Sequence, residues 1–218
     1  GSKVTNFLID NSISKNKIFE YPGSVDTLRF NFKNYNEKDI DILFVGTFRR
    51  LKGPDRVLKI VYNLLGYFPN IKSCFLGNGY LYNTIKEEVK SLHMENNVSI
   101  IGYVNNPEQY YQRSKVLIMP SRSEGLSMAM LEAMSCGCVP VVSNVGNMTD
   151  AAWHNINAMV VEDYMDIDTF TKYAKELLVD KTKWESLSIK GCQLVREKYS
   201  VEAMAEIFEN ILRFGENI

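Results

Sequence analysis

Six short apolar runs, separated by longer amphipathic stretches, predict an α/β fold. The expected architecture is a Rossmann-like parallel sheet flanked by helices on both faces, followed by a helical tail. The runs are Ile42–Val45, Ser73–Leu76, Val98–Ile101, Val116–Met119, Val139–Val142 and Ala158–Val161. Each is β-branched or aromatic in character and lacks polar alternation, the pattern of strands covered on both faces. Between them apolar residues recur every three or four positions, as on a helix with one buried face. Regular alternation of strand and helix implies right-handed crossovers and therefore a parallel sheet.

Taken in order, Gly1-Ser2 lacks an initiating Met and reads as a cloning scar on a fragment. Residues 3–40 stand outside the rhythm and are expected to be a linker, with a short strand and turn at Ile18–Asp26. The sheet domain is expected over residues 41–218. Its first helix is set by Val57, Leu58, Val61, Leu64 and Leu65, with Pro54 in the first turn. Leu81, Ile85, Val89 and Leu92 mark the second. Tyr110–Arg113 is a single helical turn, too short to form a nucleic-acid surface. Ala129, Met130, Ala133 and Met134 lie in the helix after the fourth strand. Beyond Phe170 the pattern is purely helical, ending in Met204, Ile207, Phe208 and Ile211.

The 218 residues carry 25 Lys+Arg against 26 Asp+Glu, and 45% are hydrophobic. That length buries roughly 70% of the unfolded surface. Near-neutrality argues against bulk affinity for nucleic acid or an anionic membrane. No apolar run approaches the ~20 residues of a membrane span. Cys74, Cys136, Cys138 and Cys192 lack paired zinc spacing and read as buried thiols of a reducing cytosol. Asp39-Ile40-Asp41 precedes its strand, and Asp166-Ile167-Asp168 opens a helix where acids cap, so neither suggests a metal. His93 and His154 stand alone, and no G-x-S-x-G elbow is present.

Ligands of open α/β sheets bind beyond the C-terminal strand ends. The loop Gly46-Thr47-Phe48-Arg49-Arg50-Leu51-Lys52-Gly53 combines a glycine turn, two arginines and a lysine before a helix, a suitable anion site. It is not a P-loop, because the lysine precedes the second glycine. Leu76-Gly77-Asn78-Gly79 is a weaker glycine signal. The segment Pro120-Ser121-Arg122-Ser123-Glu124-Gly125-Leu126-Ser127 to Glu132 is the most informative. A loop carboxylate at Glu124 suits sugar hydroxyls, and the helix start at Gly125-Leu126-Ser127 offers amides to a diphosphate. Glu132 lies roughly 12 Å further along the axis, where it can reach ribose hydroxyls. Sugar, diphosphate and ribose follow in that order along a nucleotide sugar.

In this order these residues resemble the C-terminal domain of family-4, or group 1, retaining glycosyltransferases of the two-domain GT-B fold. Tyr21-Pro22-Gly23-Ser24-Val25-Asp26 to Phe30 resembles the family's domain-junction segment, and Gly46 to Gly53 its diphosphate loop. Gly102-Tyr103-Val104 resembles a strand end near the nucleobase, and Glu124 to Glu132 the E-x7-E signature. The resemblance implies that Glu124 contacts the donor sugar and Glu132 the ribose. It also implies that Gly46, Thr47, Gly77, Val104 and Ser121 line the donor site. Gly125, Leu126 and Ser127 would then meet the diphosphate, which Lys52 and one of Arg49 or Arg50 neutralise. Thr47 stands where the family usually has Arg, and Asp150 where it has Glu.

The implied reaction is metal-independent transfer from a nucleotide sugar, expected to be uridine-based, with no resident cofactor. The acceptor, a glycan or lipid-linked glycan of bacterial surface polysaccharide, would bind an N-terminal domain for which this chain has no room. The isolated half is expected to bind donor weakly, to transfer little, and to work in the cytoplasm or on the inner face of the membrane. A nucleotide-sugar epimerase and a non-catalytic Rossmann regulatory domain are the competing readings. The first wants further acid/base residues and the second predicts no binding of uridine diphosphate.

Overall fold

The computed structural model describes residues 2–19, 21 and 23–215. Gly1, Glu20 and Pro22, on which parts of the scar and junction readings fall, lie outside the described residues. Six strands form one parallel sheet: β1 (Ile40–Val45), β2 (Ser73–Leu76), β3 (Val98–Gly102), β4 (Ser114–Met119), β5 (Val139–Ser143) and β6 (Met159–Val161). Their order is β3-β2-β1-β4-β5-β6. The chain winds outward from β1 to β3, returns to the centre at β4 and winds outward again. The reversal places a crevice between the C-terminal ends of β1 and β4, where such sheets bind ligands.

Eight helices are assigned among the described residues. They are α1 (Ser2–Asp10), α2 (Pro54–Leu65), α3 (Tyr82–Ser91), α4 (Glu108–Arg113), α5 (Met128–Ser135), α6 (Ile167–Val179), α7 (Lys181–Lys198) and α8 (Val201–Gly215). Alternate strand residues feed two separate cores, as the pleat requires. Ile42, Phe44, Phe75, Val116, Ile118 and Val141 face α2, α3 and α6. Leu43, Leu76, Leu117, Met119 and Val142 face α4, α5 and α7. Val57, Leu58, Val61 and Leu64 of the predicted stripe of α2 are fully buried together with Ile60, while Leu65 is half-buried, behind Pro54 at the helix's first position.

Three sequence expectations need correction. Ile18–Asp26 forms no strand among its described residues. Val25 makes only an isolated bridge to Ser200, and the predicted turn follows it, with Asp26 accepting the Leu28 and Arg29 amides at 3.0 Å each. β3 is not covered on both faces. It is the sheet edge, and Ser99 and Ile101 are exposed. Asp41 lies inside β1 instead of before it, because the strand starts at Ile40. The last helix forms where Met204, Ile207, Phe208 and Ile211 mark it, with Met204 buried and Ile207 and Phe208 exposed.

Residues 25–38 pack into the domain. Val25 and Phe30 join the second core, and Ser135 Oγ donates to the Phe30 carbonyl at 2.6 Å. Buried Lys38 donates to the carbonyls of Gln112 and Cys136 at 3.0 Å each, tying the ends of α4 and α5 together. Burial pushes the Lys38 ammonium below the usual lysine range.

Candidate functional site

A cleft of about 570 Å³ opens over the C-terminal edge of the sheet. Val45, Gly46 and Thr47 leave β1 into it, and Leu76, Gly77 and Asn78 leave β2. Tyr103, Val104 and Asn105 follow β3 and form a further wall with Pro107 and Tyr111. Ala129 and Glu132 of α5 and the segment Arg29-Phe30 complete it.

The floor is made by close backbone approach. The Gly46 amide donates to Leu76 O at 3.0 Å, and the Gly77 amide to Gly102 O at 2.8 Å. Gly77 has φ +127°, and a Cβ there would run into the Gly46 carbonyl. Only glycine meets both demands. The loop after β1 is anchored by Phe48, which is fully buried against Phe44 and Tyr82. Thr47 and Arg49, before and after it in the chain, are exposed.

The loops after β1 and β4 are joined through their backbones. The Arg122 amide donates to Leu51 O at 2.8 Å. The buried Arg56 guanidinium donates to Pro120 O and Arg50 O at 2.9 Å each. Ser143 Oγ holds Ser121 O from below at 2.7 Å. Gly146, with φ +56°, packs directly on the Glu124 backbone. Lys52 Nζ thereby reaches both Glu124 oxygens at 2.6 and 2.7 Å, and Ser121 Oγ donates to Oε1 at 2.7 Å. The Glu124 side chain is 6% exposed and that of Lys52 27%. An ammonium has three donors, so Lys52 can hold this carboxylate and still meet a second anion.

At the start of α5, Ser127 is the N-cap, its Oγ accepting from the Met130 amide at 3.4 Å. Gly125 is exposed with open space beside it, and Leu126 packs on the second core. The first amides of α5 have no intrahelical partner and carry the positive end of its dipole. Glu132 sits one turn along α5 and lines the cleft. Burial raises its carboxyl above the usual range, Tyr111 and Arg29 pull it down, and Glu108 pushes it up.

Of the sequence-predicted residues, the structure brings Gly46, Thr47, Gly77, Val104 and Glu132 to one cleft, and Ser121, Lys52 and Glu124 to one cluster. Arg49 and Arg50 are exposed and outside the cleft lining. The Arg50 amide bonds the Tyr80 hydroxyl at 3.1 Å. The arginine lining the cleft is Arg29, held by Glu108 at 2.8 Å and Asn105 O at 2.9 Å. Sequence reasoning did not assign Arg29, Tyr103 or Tyr111 to the site. The one available signal was the Asp26 turn, which orients Arg29.

Elsewhere, Asp39 and Asp41 pair with Arg113 and Lys115 at the opposite edge of the sheet, and Asp166 caps α6. Among the described residues no cluster of His, Cys, Asp and Glu could hold a metal. His154 Nδ1 accepts from the Val160 amide at 3.0 Å. The four cysteines are unpaired. No helix among the described residues is long and apolar enough to cross a membrane.

A parallel sheet wound both ways from its centre, with a cleft over its C-terminal edge, defines the class of Rossmann-type α/β domains. Residues 26–193 match the family of glycosyl transferases group 1, and the chain belongs to that family, as a C-terminal domain. A glycosyltransferase of Haemophilus influenzae is 28% identical over 78% of this chain and 48% of its own length. The poly(glycerol-phosphate) α-glucosyltransferase of Bacillus subtilis is 31% identical over 61% of this chain and 20% of its own. The chain thus spans at most about half the length of these relatives.

Solved structures share the fold. TarM of Staphylococcus aureus, in a complex that includes UDP, superposes with TM-score 0.80 at 20% identity, covering 94% of this chain and 41% of TarM. The C-terminal domain of LpcC from Francisella tularensis gives TM-score 0.73 at 18% identity, over 81% of this chain and 99% of that one.

Proposed function

We propose that this chain is the donor half of a retaining glycosyltransferase. It takes a sugar from a nucleoside diphosphate sugar, with uridine as the base, and passes it to a glycan or lipid-linked glycan in bacterial surface polysaccharide assembly. The acceptor is held by an N-terminal domain outside this chain, and the reaction takes place in the cytoplasm, at the membrane's inner face when the acceptor is lipid-linked.

The observation that carries this reading is the joining of Lys52, Ser121 and Glu124 beside a glycine-floored cleft that ends at Glu132. A base and ribose fit the wall formed by Val104 and Glu132. The diphosphate then lies over Gly46, Thr47 and the α5 amides, with the sugar toward Glu124. Lys52, Arg29 and the helix start stabilise the charge that develops on the leaving diphosphate, the task a metal performs in other designs. Glu124 orients the sugar by accepting from its hydroxyls. TarM and HepE, solved with UDP, and a capsular polysaccharide glycosyltransferase of Staphylococcus aureus, 31% identical over 52% of this chain, support the substrate class.

Calorimetric titration with UDP, ADP and GDP in the presence of EDTA tests the reading. UDP gives heat that Lys52→Ala removes. Absence of heat with every nucleotide favours a regulatory domain instead.

A further inference from the structure

The Tyr111 hydroxyl has no hydrogen-bond partner, although its residue is fully buried. The ring is not free to turn toward one. It packs on Phe30 with centroids 6.0 Å apart. The Tyr111 amide donates to Pro107 O at 3.1 Å, and the Tyr111 carbonyl accepts from Lys38 at 3.4 Å. The group in front of the hydroxyl is the Glu132 carboxylate, near enough for Tyr111 to favour its ionised form, yet the hydroxyl reaches no acceptor at full hydrogen-bonding geometry. Buried hydroxyls are almost always satisfied. Here the only mobile member of the pair is Glu132, whose side chain has rotatable bonds that the clamped ring lacks.

We propose that Tyr111 is the positioning residue of the ribose site. As a nucleotide ribose engages Glu132, the Tyr111 hydroxyl donates to one carboxylate oxygen, which fixes the side chain with its remaining lone pairs turned to the ribose diol. The inference rests on the donor-site reading above and deepens it. A carboxylate that accepts such a bond is also held in its ionised, accepting form. The charged groups facing this pair work in both directions. Arg29 favours the ionised carboxylate, while Glu108, itself bonded to Arg29, opposes it. Cys136 and Cys138 stand on the Tyr111 side, and burial raises both thiols, keeping them neutral. Lys38 touches only the Tyr111 backbone.

Tyr111→Phe keeps the ring and its packing and deletes the donor alone. The measurement is calorimetric affinity for UDP and for 2′,3′-dideoxy-UDP, in wild type, Tyr111→Phe, Glu132→Gln and the double variant. The expected result is an affinity for UDP about tenfold weaker in Tyr111→Phe, with dideoxy-UDP unaffected and no added loss when Glu132 is already Gln. The pH below which UDP binding fades should also move up in the Phe variant. Unchanged UDP affinity, or equal losses for both nucleotides, overturns the proposal while leaving the donor site standing. A wild-type protein that binds no uridine nucleotide overturns the donor-site reading and this inference with it.

Discussion

Replacing Lys52 by Met tests whether the loops after β1 and β4 are held together by charge. The substitution keeps most of the side-chain volume and leaves Glu124, whose side chain is 6% exposed, with only the Ser121 hydroxyl at 2.7 Å. Removing one partner of a buried pair costs about 3–5 kcal/mol, because the other charge stays desolvated. Lys52 is 27% exposed and Ser121 remains, so the lower figure applies. A loss of about 3 kcal/mol lowers Tm by about 6–12 °C in a chain of this size. Guanidinium unfolding with m unchanged reads the energy directly. Adding Glu124→Gln to Lys52→Met should recover most of the loss, since the orphan charge is gone. A loss below about 1 kcal/mol, the range of exposed pairs, refutes the argument.

Glu132→Gln should lose UDP affinity yet be more stable than wild type at pH 7. Burial raises the folded carboxyl above 4.5, so the wild-type contribution is present at low pH and lost as pH rises through the folded value. Urea unfolding should show the two proteins converging below pH 4.5. Gly77→Ala places a side chain at φ +127° against the Gly46 carbonyl. It should cost about 3 kcal/mol or more and abolish nucleotide heat. Burial pushes the Cys138 thiol from 9.0 up to about 12, so the unfolded chain releases this proton first. Above pH 9 the unfolding constant should rise by up to about tenfold per pH unit for this thiol, and Cys138→Ala should remove that component. Alkylation of native protein at pH 8 should reach Cys74 alone at an appreciable rate, as Cys136, Cys138 and Cys192 are buried.

The strands were legible because burial on both faces leaves a local mark. Ser73–Leu76 reads as apolar from its own four residues and is observed with those bounds. The loop positions of Gly46, Gly77, Glu124 and Glu132 follow from that reading, since each lies at a fixed distance from a strand end or helix start. The failures have equally specific causes. Ile18–Asp26 has strand-like composition, but among its described residues the one pairing is the bridge from Val25 to Ser200. Val98–Ile101 looks like its sisters, yet whether a strand is central or at the edge depends on strand order, which no single strand encodes.

By itself the sequence determined the alternation of strands and helices, the edge of the sheet at which the cleft opens, and the residue types placed there. These are properties of short windows, governed by burial periodicity and backbone freedom. The tertiary structure decided which charges meet. It turned Arg49 and Arg50 outward, drew Arg29 to Glu108 across 79 positions of chain, joined Lys52 to Glu124 across 72, and set the Tyr111 hydroxyl before Glu132. The destination of a long charged side chain is fixed by whatever folding brings within its reach, and that partner leaves no trace in the residues beside it.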